Sequence, residues 1–511
     1  MFFRFLLLFA NLLENDYLCG NMKRGVDIRQ ILGLKVRELR TDRKLSYQEL
    51  SKKTGLSVSY LNEIEKGKKY PKGDKILQLS EALEVSYDDL VSLKVSKKIE
   101  PVVSLLQSPF FKELPLEMMG LDTQKLMELI SANPEKINTF INTVMQVARS
   151  YEMNKENVYH AALRSFQEIN DNYFEELELA VQEFKEKYDF ESASQYQKED
   201  LVQTLRDYFG VKVSDEHLSE AGVLKNVRSY FSSREATLMI NKGLTVAQEK
   251  FLIVRELAFR YLELEDRPVE TPPQRQHTFA QLLNNFKASY FAVAFLMDRD
   301  EMIKDIKSFV KSKKWHDRDV LDIMLKYEAT PEMLMQRLTN ILPRYFGFNN
   351  LFFLKLGSKP GEEEGFRLTK ELHLSKLHNP YGNELNEHYC RRWISVRIIR
   401  ELQEHHLTEP IARLQISKYF NTKSQYLCLS IAIPNSSDSD EGLSLTVGFQ
   451  MGEELRKRIS FLDDPAIVTK EVHTTCERCP ITDCNVRAAP AWKLEKHSHQ
   501  LAIEKALKAL G

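Results

Sequence analysis

Hydrophobic positions recur with the spacing of a helix along the first hundred residues, in runs that glycine and proline interrupt. These runs predict five short helices within residues 28–92. The second helix is predicted to begin at a capping box, where Ser46 is followed three residues later by Glu49, and to end at Gly55. The third is predicted over residues 58–66. The pattern therefore favours a five-helix bundle with a tight turn between its second and third helices.

The third predicted helix has an apolar face, with Leu61 and Ile64, and a polar face. A helix held by such a turn enters the major groove of DNA, where each base pair presents its own pattern of donors and acceptors. Gln48 starts the second helix and is expected to bridge a phosphate and the third helix. The side chains expected to contact DNA, at base edges or at phosphates, are Gln48, Ser57, Ser59, Tyr60, Asn62, Glu63, Lys66 and Lys68.

Local charge supports this interpretation. The whole chain has a formal net charge of −1. Between positions 33 and 75, however, twelve Lys or Arg residues stand against six Asp or Glu residues. A positive segment in a nearly neutral protein is typical of a module that contacts phosphates. The alternative is a helical bundle without a DNA-binding role.

The string Q-x-L-S-x-x-T-G-L-S-x-x-Y-L-N-x-I-E-K-G, from Gln48 to Gly67, resembles the Cro and phage-repressor type of helix-turn-helix. The resemblance implies sequence-specific binding to double-stranded operator DNA. It also implies a homodimer, because members of this family usually bind two half-sites about one helical turn apart.

The length of 511 residues predicts several domains, and a hydrophobic content of 43% is ordinary for a globular protein. The expected fold class is multidomain and mainly α, with a C-terminal α+β domain. The predicted boundaries are an N-terminal extension at 1–27, the helix-turn-helix domain at 28–92, a linker at 93–122, a helical middle region at 123–346 and an α+β sensor domain at 347–511.

The first thirteen residues are strongly apolar but too few to span a bilayer. A signal peptide is one interpretation. A translation start at Met22 is the interpretation favoured here, because the cleavage pattern is poor and a DNA-binding pattern follows at once. No later run reaches transmembrane length, so a cytoplasmic protein is expected.

The middle region contains a run at 247–262 that looks like the metal-binding helix of a zincin-type peptidase-like domain. Such a helix needs His-Glu-x-x-His, which places two ligands on one face with the Glu as base. Glu256 is present, but Arg255 and Phe259 occupy the ligand positions, and Asn285 and Lys287 stand where a third ligand is expected. We therefore expect a peptidase-like scaffold, without zinc or peptidase activity, that mediates dimerisation. The alternatives are an unrelated core helix and a protease that cleaves a repressor, which the lost ligands oppose.

Two further patterns concern the elements around this scaffold. Residues 157–188 predict one long helical pattern, and residues 236–240 predict a strand.

Beyond Pro343 the hydrophobic period changes to two, which predicts a five-stranded mixed sheet with helices at 387–405 and 463–467 and a polar loop at 435–442. Such a layout is common in small-molecule sensors, although a fold alone assigns no ligand. The predicted strands are 350–356, 365–372, 411–420, 426–434 and 442–451.

Three cysteines, Cys476, Cys479 and Cys484, crowd into nine residues with the spacing C-x2-C-x4-C. Thiolates on a tight loop suit zinc, and they also suit a [4Fe–4S] cluster. Structural cysteines or a labile disulfide are the alternatives, and Cys428 is expected in the core. The spacing leaves the fourth ligand open among Cys390, His473, His497 and His499.

Taken together, the helix-turn-helix, the peptidase-like middle and the terminal C-x2-C-x4-C-x2-R-A resemble the short-chain fatty acyl-CoA regulator family. The resemblance implies control of short-chain fatty acid and central carbon metabolism genes, with an acyl-CoA as effector. It favours an iron–sulfur cluster over zinc and makes Cys390 the candidate fourth ligand, although Arg391 stands where relatives often have proline. The alternative is an iron–sulfur redox or iron-sensing regulator, in which the cluster itself is the switch.

An acyl-CoA site needs a basic lip for phosphates and an apolar slot for the acyl group. The four arginines Arg391, Arg392, Arg397 and Arg400 are candidates for the lip. A solvated helix face explains them equally well, so the sequence assigns no ligand-binding residue.

Overall fold

A computed structural model of the chain describes residues 28–96, 155–190, 196–215, 226–275, 277–358, 365–374, 387–434 and 442–510, together with residues 100, 218 and 222–224. The chain forms two compact units, residues 1–159 and 160–511. The predictions for residues 1–27, for most of the 93–122 linker and for most of the 435–442 loop lie outside the described residues. In the described part of the chain, no helix is long and apolar enough to cross a membrane.

The first unit contains the predicted five-helix bundle. Its core is built from one or two buried aliphatic side chains per helix, such as Val36, Leu50, Leu61, Leu79 and Leu90. The fold expectation for this part of the chain is therefore confirmed. The helices are α1 (Ile28–Asp42), α2 (Tyr47–Thr54), α3 (Val58–Glu65), α4 (Gly73–Ala82) and α5 (Tyr87–Val91).

Between residues 155 and 296, helices pack around a small sheet with strand order β1-β3-β2-β4. Helices α9 and α10 are the most buried, and both carry the segments predicted to be peptidase-like. The elements are α6 (Lys155–Ile169), α7 (Glu175–Lys187), α8 (Lys198–Phe209), β1 (Lys212–Ser214), β2 (Ser229–Ser232), β3 (Thr237–Ile240), α9 (Val246–Tyr261), β4 (Glu270–Thr271) and α10 (Phe279–Leu296).

The single helical pattern predicted over residues 157–188 is wrong. The chain forms two helices there, α6 and α7, separated by a turn. Asp171 and Asn172 in that turn have φ values of 50° and 52°. This left-handed conformation ends a helix, and Asp and Asn tolerate it better than most residues.

In its described residues, the carboxy-terminal half of the second unit combines six helices with a six-stranded sheet of order β10-β7-β8-β9-β5-β6. Neighbouring strands are antiparallel except β10, which pairs parallel to β7. The elements are α11 (Arg299–Lys311), α12 (Asp317–Lys326), α13 (Pro331–Phe346), β5 (Leu351–Ser358), β6 (Phe366–His373), α14 (Ile394–Glu404), β7 (Ile411–Tyr419), β8 (Gln425–Pro434), β9 (Gly442–Gln450), α15 (Glu453–Arg458), β10 (Val468–Val472) and α16 (Trp492–Leu510).

Three details of this half correct the sequence analysis. The sheet has a sixth strand, β10, that the pattern did not predict. Residues 463–467 form turns rather than a helix, and the short helix α15 lies ahead of them. The helix predicted over 387–405 begins at Ile394, because the preceding residues form a turn and an isolated bridge with the cysteine segment. The multidomain class, with an N-terminal helical bundle and mixed sheets towards the C-terminus, is confirmed.

Helix α11 and the loop after it pack against the segment that follows α15. The rings of Phe309, Trp315 and Phe461 pack with centroids 5.3–6.0 Å apart. The backbone amide of Ser460 donates to the carbonyl of Val310 at 2.8 Å. These contacts therefore join α11 and the loop after it to the segment that follows α15.

Candidate functional site

Arg40, Tyr47 and Glu65 lock α1, α2 and α3 together. Arg40 Nε and Nη2 lie 2.6 and 3.0 Å from the two carboxylate oxygens of Glu65. Tyr47 Oη donates to the same carboxylate at 2.7 Å, and the guanidinium lies 4.2 Å from the centroid of its ring. The hydrogen bond with Glu65 raises the pKa of Arg40. Glu65 is 1% exposed, so this buried charge depends on its partners inside the bundle.

Gly33 sets the close approach of α1 to the end of α3. A Cβ atom at this position would lie 2.4 Å from the carbonyl oxygen of Ile64, which is too close for any side chain. The two helix backbones therefore pack in direct contact, and this contact fixes the orientation of α3.

Both predicted caps are present. The Ser46 hydroxyl accepts from the backbone amide of Glu49, whose carboxylate accepts from the Ser46 amide at 2.7 Å. Gly55 ends α2 with φ of 69° and donates to the carbonyl of Ser51 at 2.8 Å. The Ser57 hydroxyl then caps α3 by accepting from the amide of Tyr60. The tight turn and the direction of α3 thus follow from local sequence.

The residues predicted to contact DNA differ in exposure. Gln48, Ser57, Ser59 and Lys68 are exposed, whereas Tyr60, Asn62, Glu63 and Lys66 are half-buried. Tyr60, which was expected to contact DNA, packs partly against the bundle core. Glu63 forms an ion pair with Lys69 at 2.9 Å.

The surface of the first unit still carries exposed lysines, although two of its cations, Lys35 and Arg40, are buried. Lys35 is buried and donates to the carbonyls of Asp89 and Ser92, which ties α1 to α5. Desolvation by this burial lowers the pKa of Lys35. Together with Arg40, it is an internal charge rather than a surface one. The lysines left exposed in the described residues of this unit are Lys44, Lys52, Lys53, Lys68, Lys69, Lys72 and Lys94.

Val58 is a surface residue that the sequence analysis did not single out. It opens α3 directly after the Ser57 cap and is 41% exposed despite its apolar side chain. An apolar group at the start of a helix in the major groove can contact the methyl group of thymine. The position immediately after a predicted N-cap is the sequence signal that identifies it.

In the second unit, Glu256 on α9 is held by two arginines. Arg267 donates to both carboxylate oxygens at 2.6 and 2.8 Å, and Arg260 Nε donates at 3.0 Å. Glu256 is 3% exposed. The Arg267 guanidinium also lies 4.4 and 4.6 Å from the ring centroids of Phe259 and Phe231. The carboxylate that serves as base in a zincin helix is therefore enclosed by cations and aromatic rings.

None of the predicted ligand positions around Glu256 carries a histidine or a carboxylate. Arg255 is buried and donates to Thr271, and its burial lowers the pKa of the guanidinium to about 10. Phe259 is buried beside it. Asn285 and Lys287 are half-buried on α10. Three guanidinium groups, those of Arg255, Arg260 and Arg267, therefore lie around the position where a zincin helix binds its metal ion.

The carboxy-terminal cysteine motif meets the segment that contains Cys390. Tyr389 and Thr475 form an antiparallel bridge, and the amide of Cys390 donates to the carbonyl of Thr474 at 3.1 Å. Burial raises the pKa of the Cys390 thiol to about 11, and the thiols of Cys476 and Cys479 add a smaller effect in the same direction.

Hydrogen bonds also shape the cysteine segment itself. The amide of His473 donates to Cys390 Sγ, and the amide of Ala488 donates to Cys476 Sγ, both at 3.4 Å. Arg487 holds the loop from inside by donating to the carbonyls of Cys476 and Cys479 at 2.8 and 3.0 Å.

None of the five described cysteines forms a disulfide. Cys428 is buried on β8, in the core position expected for it. Within the described ranges, no three His, Cys, Asp or Glu side chains stand in a ready metal-binding arrangement. The cysteine segment thus contains sulfur atoms that suit a metal, but its described side chains are not arranged around one common centre.

Two comparisons concern the first unit. Residues 36–90 match a family model described as Helix-turn-helix. Over 67 residues the chain is 31% identical to an uncharacterized HTH-type transcriptional regulator of Sinorhizobium fredii, y4dJ, and the match covers 87% of that relative and 13% of this chain. The chain belongs to the HTH-type transcriptional regulators. It is a DNA-binding transcription regulator, as the sequence predicts, and α1–α5 form its helix-turn-helix domain.

A second family match of this HTH-type regulator lies in the second unit. Residues 206–339 match the IrrE N-terminal-like domain, a peptidase-like domain, and this range includes α9 and α10. The predicted peptidase-like resemblance of the middle region is therefore confirmed. Among solved structures, a Mycobacterium tuberculosis transcriptional regulator is similar at 16% identity and a TM-score of 0.47, over 65% of this chain and 94% of that chain.

Proposed function

We propose that this regulator reads a specific operator with the exposed amino-terminal turn of α3, assisted by Gln48 on α2. The observation that carries this proposal is the locked geometry of α1–α3, in which Arg40 and Glu65 fix α3 from behind. Val58 and Ser59 on α3 and Gln48 on α2 are all exposed. A rigid scaffold with exposed polar groups suits recognition of base edges, and the surrounding lysines suit phosphate contacts.

The proposal includes a homodimer that binds two half-sites. Selection of bound duplexes from a random library by the full-length protein tests both parts. We expect enrichment of two related half-sites whose centres lie about one helical turn apart. A single enriched half-site bound by one chain would contradict the dimer, and no enrichment at all would contradict sequence-specific recognition.

We further propose that the second unit makes DNA binding respond to a short-chain acyl-CoA. Support comes from the family resemblance of the domain order and the cysteine motif, and from a large cleft with basic residues in the second unit. An effector acts by binding one arrangement of the regulator more tightly than another. Measurement of operator affinity with and without propionyl-CoA tests this. A coupling of fivefold or more is expected on typical magnitudes of about 1–3 kcal/mol, and an unchanged affinity with every acyl-CoA would refute the effector class.

The peptidase-like domain is proposed to be a structural scaffold rather than an enzyme. Glu256 is engaged by Arg267 and Arg260, so it is not available to activate a water molecule. Arg255 and Phe259 supply no lone pair to a zinc ion at neutral pH. Detection of stoichiometric zinc near Glu256 would contradict this part of the proposal.

A second candidate function is sensing through a cysteine-ligated centre, as in an iron–sulfur redox or iron sensor. It is favoured by the meeting of Cys390 with the motif of Cys476, Cys479 and Cys484, and by the backbone N–H groups that donate to two of the sulfurs. Thiolates suit both an iron–sulfur cluster and zinc, and N–H···S bonds are among the features that tune a cluster.

Anaerobic purification separates the candidates. A brown protein whose colour is lost in Cys479→Ser supports the cluster, and a colourless protein with bound zinc supports zinc. If Cys479→Ser abolishes the cluster while the response to acyl-CoA persists, the cluster is not the switch for that response.

A further inference from the structure

A wholly apolar cavity lies between helices α11–α13 and the sheet of the second unit. Its volume is about 60 Å³, and only hydrophobic side chains line it. The helices contribute Val310, Val320 and Leu338, the sheet contributes Leu414 and Leu429, and Phe461 closes one side. Because the lining offers no hydrogen bond, such a cavity excludes water and accepts aliphatic groups.

A larger cleft of about 540 Å³ lies nearby, and its lining is mixed. Its three carboxylates are already engaged. Arg413 pairs with Asp317 and Glu401, and Asp464 accepts from the backbone amides of Trp315 and Ala466, both at 2.9 Å.

Within the ranges that the structure describes, two cations of this cleft, Lys314 and Arg397, lack the carboxylate partners that Arg413 has. Arg397 donates at 2.6 Å to the neutral side chain of Gln415, and no ion pair within 4 Å involves Lys314 or Arg397 among the described residues. Lys314 is exposed and Arg397 is half-buried. Backbone hydrogen bonds from Ala466 and Trp315 lower the pKa of Asp464, and the charge of Lys314 contributes to this effect. The cleft therefore offers Arg397, together with Lys314 beside the Asp464 carboxylate, to an anionic ligand.

The cavity and the cleft share a wall. Leu414 lines both spaces. Trp315 of the cleft lies 5.9 Å from the Phe461 ring and 6.0 Å from the Phe309 ring, and both phenylalanines line the cavity. These side chains lie between the polar cleft and the apolar cavity, and a ligand that occupies both spaces requires them to move.

We propose that the cleft and the cavity form one two-part site for a short acyl chain carried on an anionic group, with the carrier at Lys314 and Arg397 and the chain in the cavity. This inference rests on the proposed acyl-CoA effector and assigns it a place. An apolar cavity of about 150 Å³ takes benzene. By that measure the cavity of about 60 Å³ takes a chain of two to four carbons.

Calorimetric titration of the full-length protein with CoA and with its acetyl, propionyl, butyryl and octanoyl thioesters tests the site. Each methylene that enters the cavity is expected to tighten binding about fourfold, which corresponds to about 0.8 kcal/mol per buried CH₂. The octanoyl thioester is expected to bind at least tenfold more weakly than the best short chain, because it overfills the cavity.

Variants assign the two parts separately. Val320→Ile adds one methylene to the cavity wall and is expected to move the preferred chain length down by one carbon. Val181→Ile on α7 is the matched control, since Val181 and Val320 are 4% and 3% exposed, and it leaves the preference unchanged. Replacing Lys314 and Arg397 together by Gln is expected to weaken CoA and all its thioesters alike, by about fivefold.

The outcomes distinguish this site from the effector proposal. If short acyl-CoAs bind but neither Val320→Ile nor the double charge variant changes the titrations, the effector stands and the two-part site is wrong. If free CoA binds as tightly as every thioester, the cavity takes no acyl chain. If no acyl-CoA binds a protein that still binds DNA, both proposals fail.

Discussion

Arg40 and Glu65 form a two-point ion pair inside the helix-turn-helix domain, with donor–acceptor distances of 2.6 and 3.0 Å. The pair joins α1 to the last residue of α3 across 25 positions of sequence. Because the pair lies inside the bundle, its charges act on the orientation of α3 rather than on the surface of the domain.

Glu65→Ala is therefore expected to destabilise the protein strongly, because it leaves the Arg40 charge buried without its partner. The expected loss is about 3–5 kcal/mol in the free energy of unfolding of this domain. Urea denaturation followed by circular dichroism measures it. Glu63→Ala is the control, since it removes the exposed pair with Lys69 and is expected to cost less than about 1 kcal/mol. Equal losses in the two variants would disprove a structural role specific to Arg40 and Glu65.

Gly33→Ala is expected to disturb the same helix by a different route. The new methyl group would meet the Ile64 carbonyl at 2.4 Å, so α1 and α3 must move apart. Overpacking of this kind costs about 1–3 kcal/mol, and operator affinity should fall with it. Gly73→Ala is the matched control, because its nearest neighbour would be the Tyr87 hydroxyl at 3.5 Å, an ordinary contact. A Gly33→Ala protein as stable as Gly73→Ala would show that the close approach is unimportant.

The Glu256 cluster leads to a prediction about metal. Since Arg267 supplies the positive charge beside Glu256, the thermal midpoint of the peptidase-like domain should not change when zinc is added or a chelator is present. Glu256→Gln should instead lower that domain's stability by about 3 kcal/mol, because Arg267 then lies buried without a full counter-charge. Differential scanning calorimetry of the full chain measures both. A chelator-induced drop in the midpoint of wild type, absent in Glu256→Gln, would argue for a working metal site.

Glu332 provides a pH-dependent test of the link between α13 and the sheet. Burial opposes ionisation of Glu332, but Lys370 and Lys355 outweigh it and lower the pKa of the carboxyl to about 2. Lys355 Nζ lies 2.7 Å from the carboxylate. A lowered folded-state pKa stabilises the fold above the ordinary pKa of 4.5, and this contribution is lost as the pH falls towards about 2.

Wild type is thus expected to lose about 1–2 kcal/mol more than Glu332→Gln between pH 5 and pH 2, after allowance for partial exposure. Denaturant titrations across that interval provide the comparison. Parallel pH profiles for the two proteins would show that the ion pairs of Glu332 do not stabilise the link between α13 and the sheet.

Local patterns predicted the helix-turn-helix well because its determinants are close in sequence. The capping box of Ser46 and Glu49 and the left-handed turn at Gly55 need only neighbouring residues. The strand β10 escaped prediction because Val468–Val472 is largely exposed, and its pairing partner β7 lies far away in sequence. Asp171 and Asn172 broke a helical pattern through backbone conformation, which hydrophobic periodicity does not encode.

In the candidate sites too, features set by neighbouring residues could be predicted, and features set by residues far apart in sequence could not. Glu256 and its changed ligand positions could be identified from one helix, but the arginine that neutralises Glu256 comes from beyond the end of α9. The spacing of the cysteines was enough to identify the motif. That Cys390 lies next to the motif became visible only from the bridge between Tyr389 and Thr475. The apolar cavity arises from separate helices and strands, so no run of sequence indicated it.

The most direct test of the central claim, that α3 reads bases, is the dissociation constant for operator and for random duplex at one fixed salt concentration. Asn62→Ala is predicted to weaken operator binding about tenfold while leaving random binding within about twofold. Lys68→Ala is predicted to weaken both alike and to reduce the salt dependence by about one phosphate contact. An equal loss on operator and random DNA in Asn62→Ala would contradict the account.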